Sequence, residues 1–280
     1  MHRNLLHNDE IRSTGENVVS PGQVGLMNGW GVFSTLRVSR GSLFAYPRHF
    51  RRMKKDAELM RVPFPSDPDW LEERLLRLVK ANEAYDATLR VAVIRNKGGM
   101  FEGPGIDRDF DVVAFTADLN KWGKGVRLSV APHARYGACR YSGAKILSWS
   151  QNLNWLEEAR EKGFDEVILL NEHDEVSECT SANIFAVHGH HVWTPPLSAG
   201  CLPGVTREIL LEEIHVPGIS IGEKALKLSD LEAGEEVFVT STTRELLPVL
   251  EVEGLRIQQQ TQIRNKLQEA FTQYVTKTGA

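Results

Sequence analysis

Hydrophobic positions change their spacing repeatedly along this chain, and each change marks an element. Val32–Tyr46 alternates apolar and polar residues on both sides of a Ser-Arg-Gly tripeptide, the pattern of two strands joined by a turn. Residues 47–60 and 68–84, each opening on a proline, switch to helical spacing. In the second of these, Leu71, Leu75, Leu76, Leu78 and Val79 make an apolar stripe. Leu89–Arg95 alternates as a strand, the glycine-rich stretch 97–105 breaks it, and Asp111–Thr116 is a further strand. Asp118–Gly125 (DLNKWGKG) is polar and glycine-bearing, which sets an expected domain boundary there. A smaller N-terminal α/β domain would occupy residues 1–120 and a larger C-terminal domain 121–280.

The second half alternates strand and helix. Val126–Ala131 reads as a strand. Lys145 follows the small residues Ser142, Gly143 and Ala144 and opens a helical pattern through Trp149, Leu153, Leu156 and Ala159, ended by Gly163. Glu166–Leu170 is a short apolar strand, Asn171–Asp174 a polar turn, and Asn183–Val187 and Val192–Thr194 are strands. Thr206–Ile214 and Lys227–Glu232 read as short helices, Val237–Thr240 as a strand, residues 241–257 as further strand, and Gln262–Val275 as a closing helix. With no internal repeat or low-complexity tract, this order predicts two α+β or α/β domains rather than one doubly wound sheet.

Composition narrows the classes. Apolar residues at 41% and charged residues at 25% fit a globular chain. A net charge of −4 without a basic stripe argues against a nucleic-acid binder. No stretch approaches the eighteen or so apolar residues of a membrane span, and the N-terminal residues lack an apolar signal-like core. Cys139, Cys179 and Cys201 show neither zinc nor disulfide spacing, so the expected setting is reducing and cytoplasmic. His188, His190 and His191 lie close together without a carboxylate or cysteine at ligand spacing, so they read as a hairpin tip and no metal is expected. The glycines of residues 28–31 and 98–105 lack the Lys-Ser/Thr of a phosphate loop and read as turns. Trp30 and Trp149 read either as pocket walls or as core.

Two residues carry candidate chemistry. Lys145, among small neighbours, could form a Schiff base with an aldehyde cofactor. Glu178, set between Ser177 and Cys179-Thr180-Ser181, could hold a pyridinium nitrogen protonated. Leu202–Ile214 places Gly204, Val205 and Thr206 at a helix start, where free N–H groups and the helix dipole favour an anion; ordinary capping by Thr206 is the competing reading. Thr240–Glu245 (TSTTRE) adds hydroxyls after a strand.

Taken in order, residues 143–145 (GAK), 165–185 (DEVILLNEHDEVSECTSANIF), 193–196 (WTPP), 202–207 (LPGVTR) and 235–249 (EEVFVTSTTRELLPV) resemble the class IV, or fold type IV, pyridoxal-phosphate enzymes. That family includes branched-chain and D-amino acid aminotransferases, R-selective amine transaminases and aminodeoxychorismate lyase. GWGVFSTLRV (29–38) and HFRRM (49–53) extend the likeness. The resemblance implies pyridoxal 5′-phosphate in an interdomain cleft, a Schiff base to Lys145, and Glu178 at the ring nitrogen. Val205, Thr206 and Thr242 would serve the phosphate, with Arg52 of His49-Phe50-Arg51-Arg52 as countercharge and Arg51 as the alternative register. Asn183 would hold the strand beside Glu178.

For the substrate, the resemblance points to Thr35, Arg37, Arg90, Trp149 and Thr243, with Arg95 a further carboxylate partner; strand arginines in salt bridges are the competing reading for Arg37, Arg90 and Arg95. Trp149-Ser150 replaces the Asn-Tyr pair of branched-chain enzymes, and Met100-Phe101-Glu102 replaces the Arg-x-His of the D-amino acid type. Lys145–Ser148 and Thr35 lie nearer the lyase pattern. The implied activity is amino transfer between an amino acid or amine and a 2-keto acid. The alternative is 4-amino-4-deoxychorismate lyase, giving 4-aminobenzoate and pyruvate. A homodimer with shared active-site loops is implied as well.

Overall fold

The computed structural model describes residues 1–100, 102–103 and 106–278. Contacts divide them into two compact units, residues 1–120 with 144–149, and residues 121–143 with 150–278. The short Lys145 segment thus belongs with the first unit, although it had been expected within the second domain.

In the first unit six strands form one antiparallel sheet in the order β2-β1-β6-β5-β3-β4. The strands are β1 (Asn4–His7), β2 (Glu10–Ser13), β3 (Gly31–Ser39), β4 (Ser42–Leu43), β5 (Ala87–Arg95) and β6 (Phe110–Ala117). A short helix α1 (Val24–Asn28) precedes β3. The predicted Ser-Arg-Gly turn is present: Arg40 and Gly41 both have left-handed φ angles, 47° and 82°, as a two-residue hairpin needs. The returning strand is only two residues long, because the chain turns at Ala45 into α2 (Tyr46–Met60).

Helix α3 (Pro68–Ala81) starts where Asp67 accepts the Asp69 N–H and Pro68 follows without an N–H to satisfy. Its Leu71, Leu75, Leu78 and Val79 join Met53 and Ala57 of α2 against Val32, Leu36, Leu89, Val91 and Val112 of the sheet. Leu76, expected in that stripe, is 36% exposed, because it sits off the 71/75/78 line.

The second unit holds an eight-stranded mixed sheet, ordered β12-β11-β10-β13-β14-β7-β8-β9. Its strands are β7 (Val126–Ala131), β8 (Glu166–Leu170), β9 (Val176–Cys179), β10 (Asn183–His188), β11 (His191–Thr194), β12 (Ser220–Glu223), β13 (Glu236–Ser241) and β14 (Glu245–Val252). Its helices are α4 (Ser150–Glu161), α5 (Val205–Glu212), α6 (Leu228–Ala233) and α7 (Gln262–Thr278). The apolar run of β8 is buried on both faces. Ile168 and Leu170 enter one core, while Val167 and Leu169 meet Ala159 and Trp155 of α4.

Two expectations for the Lys145 region change. Lys145 is not helical: Lys145 O accepts the Phe33 N–H, and Ile146 bridges Val32 on β3, so the segment runs extended beside that strand. Helix α4 begins only at Ser150, and it buries Asn152 and Ala159 while Leu153 is 53% exposed. Of the predicted stripe, Ala159 is buried and Leu156 half-buried, while Asn152 takes the buried place expected of Leu153.

Glu166 opens β8 with no exposure, accepting hydrogen bonds from the Thr180 and Ser181 hydroxyls and ion-pairing with Arg244 at 2.9 Å. The Arg244 guanidinium also lies 4.0 Å over the Trp122 ring. Replacing Arg244 by Leu leaves a buried carboxylate without its cation, and we expect a loss of about 3–5 kcal/mol in urea unfolding. Adding Glu166→Gln to that variant should recover most of the loss. A single variant within about 0.5 kcal/mol of the parent would show that the pair contributes nothing net.

Candidate active site

In the first unit, helix α2 and strand β3 build the surroundings of Lys145. Arg52 is 8% exposed, whereas Arg51, one residue earlier, points outward. The helix phase therefore settles which arginine of the pair is directed into the unit. Arg52 Nη2 donates to Ser34 Oγ at 2.7 Å, and Ser34 Oγ lies 2.8 Å from His49 Nδ1. The serine hydroxyl thus bridges the Arg52 guanidinium and the His49 ring. Burial, then the charges of Arg52 and Lys145, push the His49 pKa well below its usual value, consistent with a neutral ring. Asp56, one turn beyond Arg52 on the same stripe, accepts the main-chain N–H of Lys145 at 3.1 Å.

The Phe33 ring is the meeting point of this unit. Lys145 Nζ lies 4.6 Å from its centroid, the Arg90 guanidinium 3.9 Å, and Trp149 packs edge-on at 6.4 Å. Arg90 stands opposite Thr35 across the β3–β5 ladder. Among the described residues it has no hydrogen-bonded or ion-paired partner beyond that ring, and desolvation lowers its pKa. Arg37, two residues past Thr35 on the same face, stands opposite Thr88 and is half-buried. Arg95 differs: its guanidinium donates to the carbonyls of Lys97 and Arg61 and stacks on Trp30, so it ties down the end of α2. Trp30 donates its own ring N–H to Met60 O at 2.7 Å and is a structural tie.

In the second unit, Glu178 lies on β9 at 8% exposure. One carboxylate oxygen accepts from Arg135 Nε at 3.3 Å and the other from the Leu202 N–H at 3.0 Å. Arg135 Nη2 reaches on to Asn152 Oδ1 at 3.1 Å. The Leu202 carbonyl accepts from Asn183 Nδ2 at 2.9 Å, so the main chain of residue 202 links Glu178 and Asn183 to the turn that begins α5. The Asn183 side chain thus holds the turn before α5, whereas the expectation placed it on the strand beside Glu178. Gly204 is required there, since a Cβ would collide with the Asn183 side-chain oxygen. Arg207, buried one turn into α5, clamps the preceding loop through Pro195 O at 2.8 Å and Glu223.

The start of α5 bears on its anion chemistry. Gly204, not Thr206, is the N-cap, and no side chain caps it. Capping by Thr206 is therefore ruled out, and its hydroxyl, on a residue 1% exposed, has no hydrogen-bond partner. The Thr240 hydroxyl, equally buried, also has none. Orphaned buried hydroxyls cost about 1–3 kcal/mol each, and a bound acceptor relieves that cost. These donors, the first N–H groups of α5 and the helix dipole fit a phosphate. Thr242 and Thr243 lie in the β13–β14 turn, where the Arg244 N–H closes back on Ser241. The histidine tip is the β10–β11 turn as expected, and no cluster of metal-binding side chains is found among the described residues. Of the stretch Met100-Phe101-Glu102, Phe101 lies outside the described residues, as do Pro104 and Gly105 of the glycine-rich loop.

Sequence reasoning missed Asp56, Ser34, Arg135 and the Leu202 peptide. Asp56 carried a signal, an acidic residue seven positions past His49 on the buried helix face. Arg135 carried none, since its partner is 43 residues away.

The sequence matches the family described as amino-transferase class IV over residues 31–252. A putative branched-chain-amino-acid aminotransferase of Methanocaldococcus jannaschii is 30% identical, covering 91% of this chain and 90% of that protein. An aminodeoxychorismate lyase of Bacillus subtilis is 27% identical, covering 84% and 82%. The structure resembles the branched-chain aminotransferase of Thermoproteus uzoniensis with norvaline, with TM-score 0.87, 25% identity and coverage of 99% and 96%.

Proposed function

The chain belongs to the class IV aminotransferases, enzymes that use pyridoxal 5′-phosphate, and from that premise we propose a transaminase that moves an amino group between an amino acid or amine and a 2-keto acid through Lys145. One observation carries the reading. A primary amine, Lys145 Nζ, and a half-buried guanidinium without an anion, Arg90, lie against the same phenyl ring. The amine suits carbonyl chemistry, and the guanidinium suits a carboxylate of the amino or keto acid.

When bound, the cofactor supplies an aldehyde carbon for amines and a ring that accepts the electron pair released at the substrate carbon. Lys145 would hold that group through its side-chain amine, and as a free amine its Nζ would take up the proton leaving the substrate carbon. Glu178 would face the ring nitrogen as its acidic partner, and Arg135, ion-paired with it at 3.3 Å, would hold the carboxylate in place. The Val205 and Thr206 N–H groups, the Thr206 hydroxyl and Thr242 bind the phosphate, with Arg52 as a positive partner. Arg90, assisted by Arg37 and Thr35, receives substrate carboxylate, and Trp149 and Thr243 border the substrate. The enzyme works as a homodimer in a reducing cytoplasm, in keeping with three unpaired cysteines and no helix long and apolar enough to cross a membrane among the described residues.

The test is the visible absorption of the holoenzyme after separate addition of L-amino acids, D-amino acids and an R-amine. Loss of the band with one donor class and its return with a keto acid supports transamination and identifies the donor's handedness. A band indifferent to all three, with 4-aminobenzoate released from aminodeoxychorismate, replaces this reading with the lyase.

A further inference from the structure

Helix α2 turns a polar residue toward the Lys145 segment that neither the motifs nor the chemistry above uses. Asp56 lies four residues beyond Arg52 and seven beyond His49, and it is 4% exposed. One of its carboxylate oxygens accepts the Lys145 main-chain N–H at 3.1 Å. On the other side of that residue, the Lys145 carbonyl accepts the Phe33 N–H at 3.1 Å. The backbone from which the lysine side chain starts is therefore gripped at both ends. An asparagine oxygen would accept the same N–H without a buried charge, so anchoring alone does not account for a carboxylate here.

We propose that Asp56 is a positioning residue for Lys145, anchoring its main chain and placing a buried negative charge beside a nitrogen that must gain and lose a proton. The proposal rests on the reading of Lys145 as the reacting amine. The surrounding charges give the second task its physical content. Arg90 from β5 lies against the same Phe33 ring as Lys145 Nζ, and Arg52 from α2 acts with Lys145 on both buried His49 and Asp56, so the lysine stands among other cations. His49 is buried and neutral, so it offsets neither. Burial raises the Asp56 pKa, while the Lys145 N–H, Arg52, Lys145 and Lys55 all pull toward its ionised form. The role proposed for an ionised Asp56 is to offset that positive charge beside the lysine.

Two variants separate charge from anchor. Asp56→Asn keeps an acceptor of the same shape and removes the charge, and Asp56→Ala removes both. Each holoenzyme is titrated by its visible absorption across pH, with kcat/KM profiles and thermal unfolding measured alongside. In Asp56→Asn the absorption midpoint should fall by about one pH unit, and the kcat/KM limb that reports the same group should move with it. Thermal stability should be unchanged or higher, since a buried charge is gone. Asp56→Ala should show the same shift and a further fall in kcat of roughly tenfold from the lost anchor.

An absorption midpoint in Asp56→Asn equal to that of the parent overturns the charge role, whatever happens to stability. Equal kcat in the two variants overturns the anchor. Lys145→Ala keeps this failure distinct from that of the underlying reading. Turnover persisting in Lys145→Ala removes the lysine from the chemistry, whereas an inactive Lys145→Ala with an unshifted Asp56→Asn removes Asp56 alone.

Discussion

Lys145→Ala is expected to lose turnover by on the order of 10⁴-fold or more, and to lose the visible band of covalently held cofactor, while the fold persists. The magnitude follows from the two tasks that end together, covalent capture of the aldehyde and proton transfer at the substrate carbon. Persistence of the fold follows from what actually holds residue 145. Its main-chain N–H and carbonyl are bound to Asp56 and Phe33, and neither bond involves the side chain. The side-chain contact of Nζ with the Phe33 ring is worth about 0.5–1 kcal/mol. Circular dichroism and single-turnover kinetics on the same preparation check both halves. A variant that still cycles donor and acceptor at more than a few per cent of the parent rate would refute the role given to Lys145.

Glu178→Gln should lower kcat by on the order of 10²-fold with much less effect on cofactor occupancy. Gln can accept from Arg135 or from the Leu202 N–H, but its amide nitrogen then faces the other. Stability should accordingly fall by about 1–3 kcal/mol. Two readouts separate the roles. If Glu178 only holds the Leu202 turn, stability falls and kcat of the folded fraction stays near the parent value. If it protonates the ring nitrogen, kcat falls in fully folded protein, and Arg135→Met should reproduce part of that fall, because Glu178 loses the cation that favours its charged form.

These two residues illustrate what one-dimensional reading reaches. Lys145 and Glu178 sit in short stretches whose residue types and order are distinctive, and so does the Gly204-Val205-Thr206 start of α5. Helices α2 and α3 and strand β8 are legible because their cores lie within one element, where period alone separates buried from exposed. The helix assigned to Lys145 failed for the converse reason. Residues 144–149 take their conformation from the neighbouring strand β3, more than a hundred positions earlier, and not from their own spacing. Leu153 misled in the same way: the stripe of α4 is set by what faces it, and Asn152 occupies the buried place because it accepts from Arg135 and donates to Thr180 O.

By itself the sequence determined the family, most of the larger elements and the glycine at the α5 turn, and it singled out Lys145 and Glu178 as candidates. Each of these depends on local residue type, on backbone freedom or on a period of two or 3.6. Only the tertiary structure decided that Arg52 rather than Arg51 turns inward, that Arg95 is a tie for α2 while Arg90 is without an anion, and that Thr206 does not cap its helix. It also brought Asp56 to Lys145 across 89 residues and Arg135 to Glu178 across 43. A hydrogen bond at 3 Å depends on where two distant backbones come to rest, and no composition or spacing within either segment encodes that meeting.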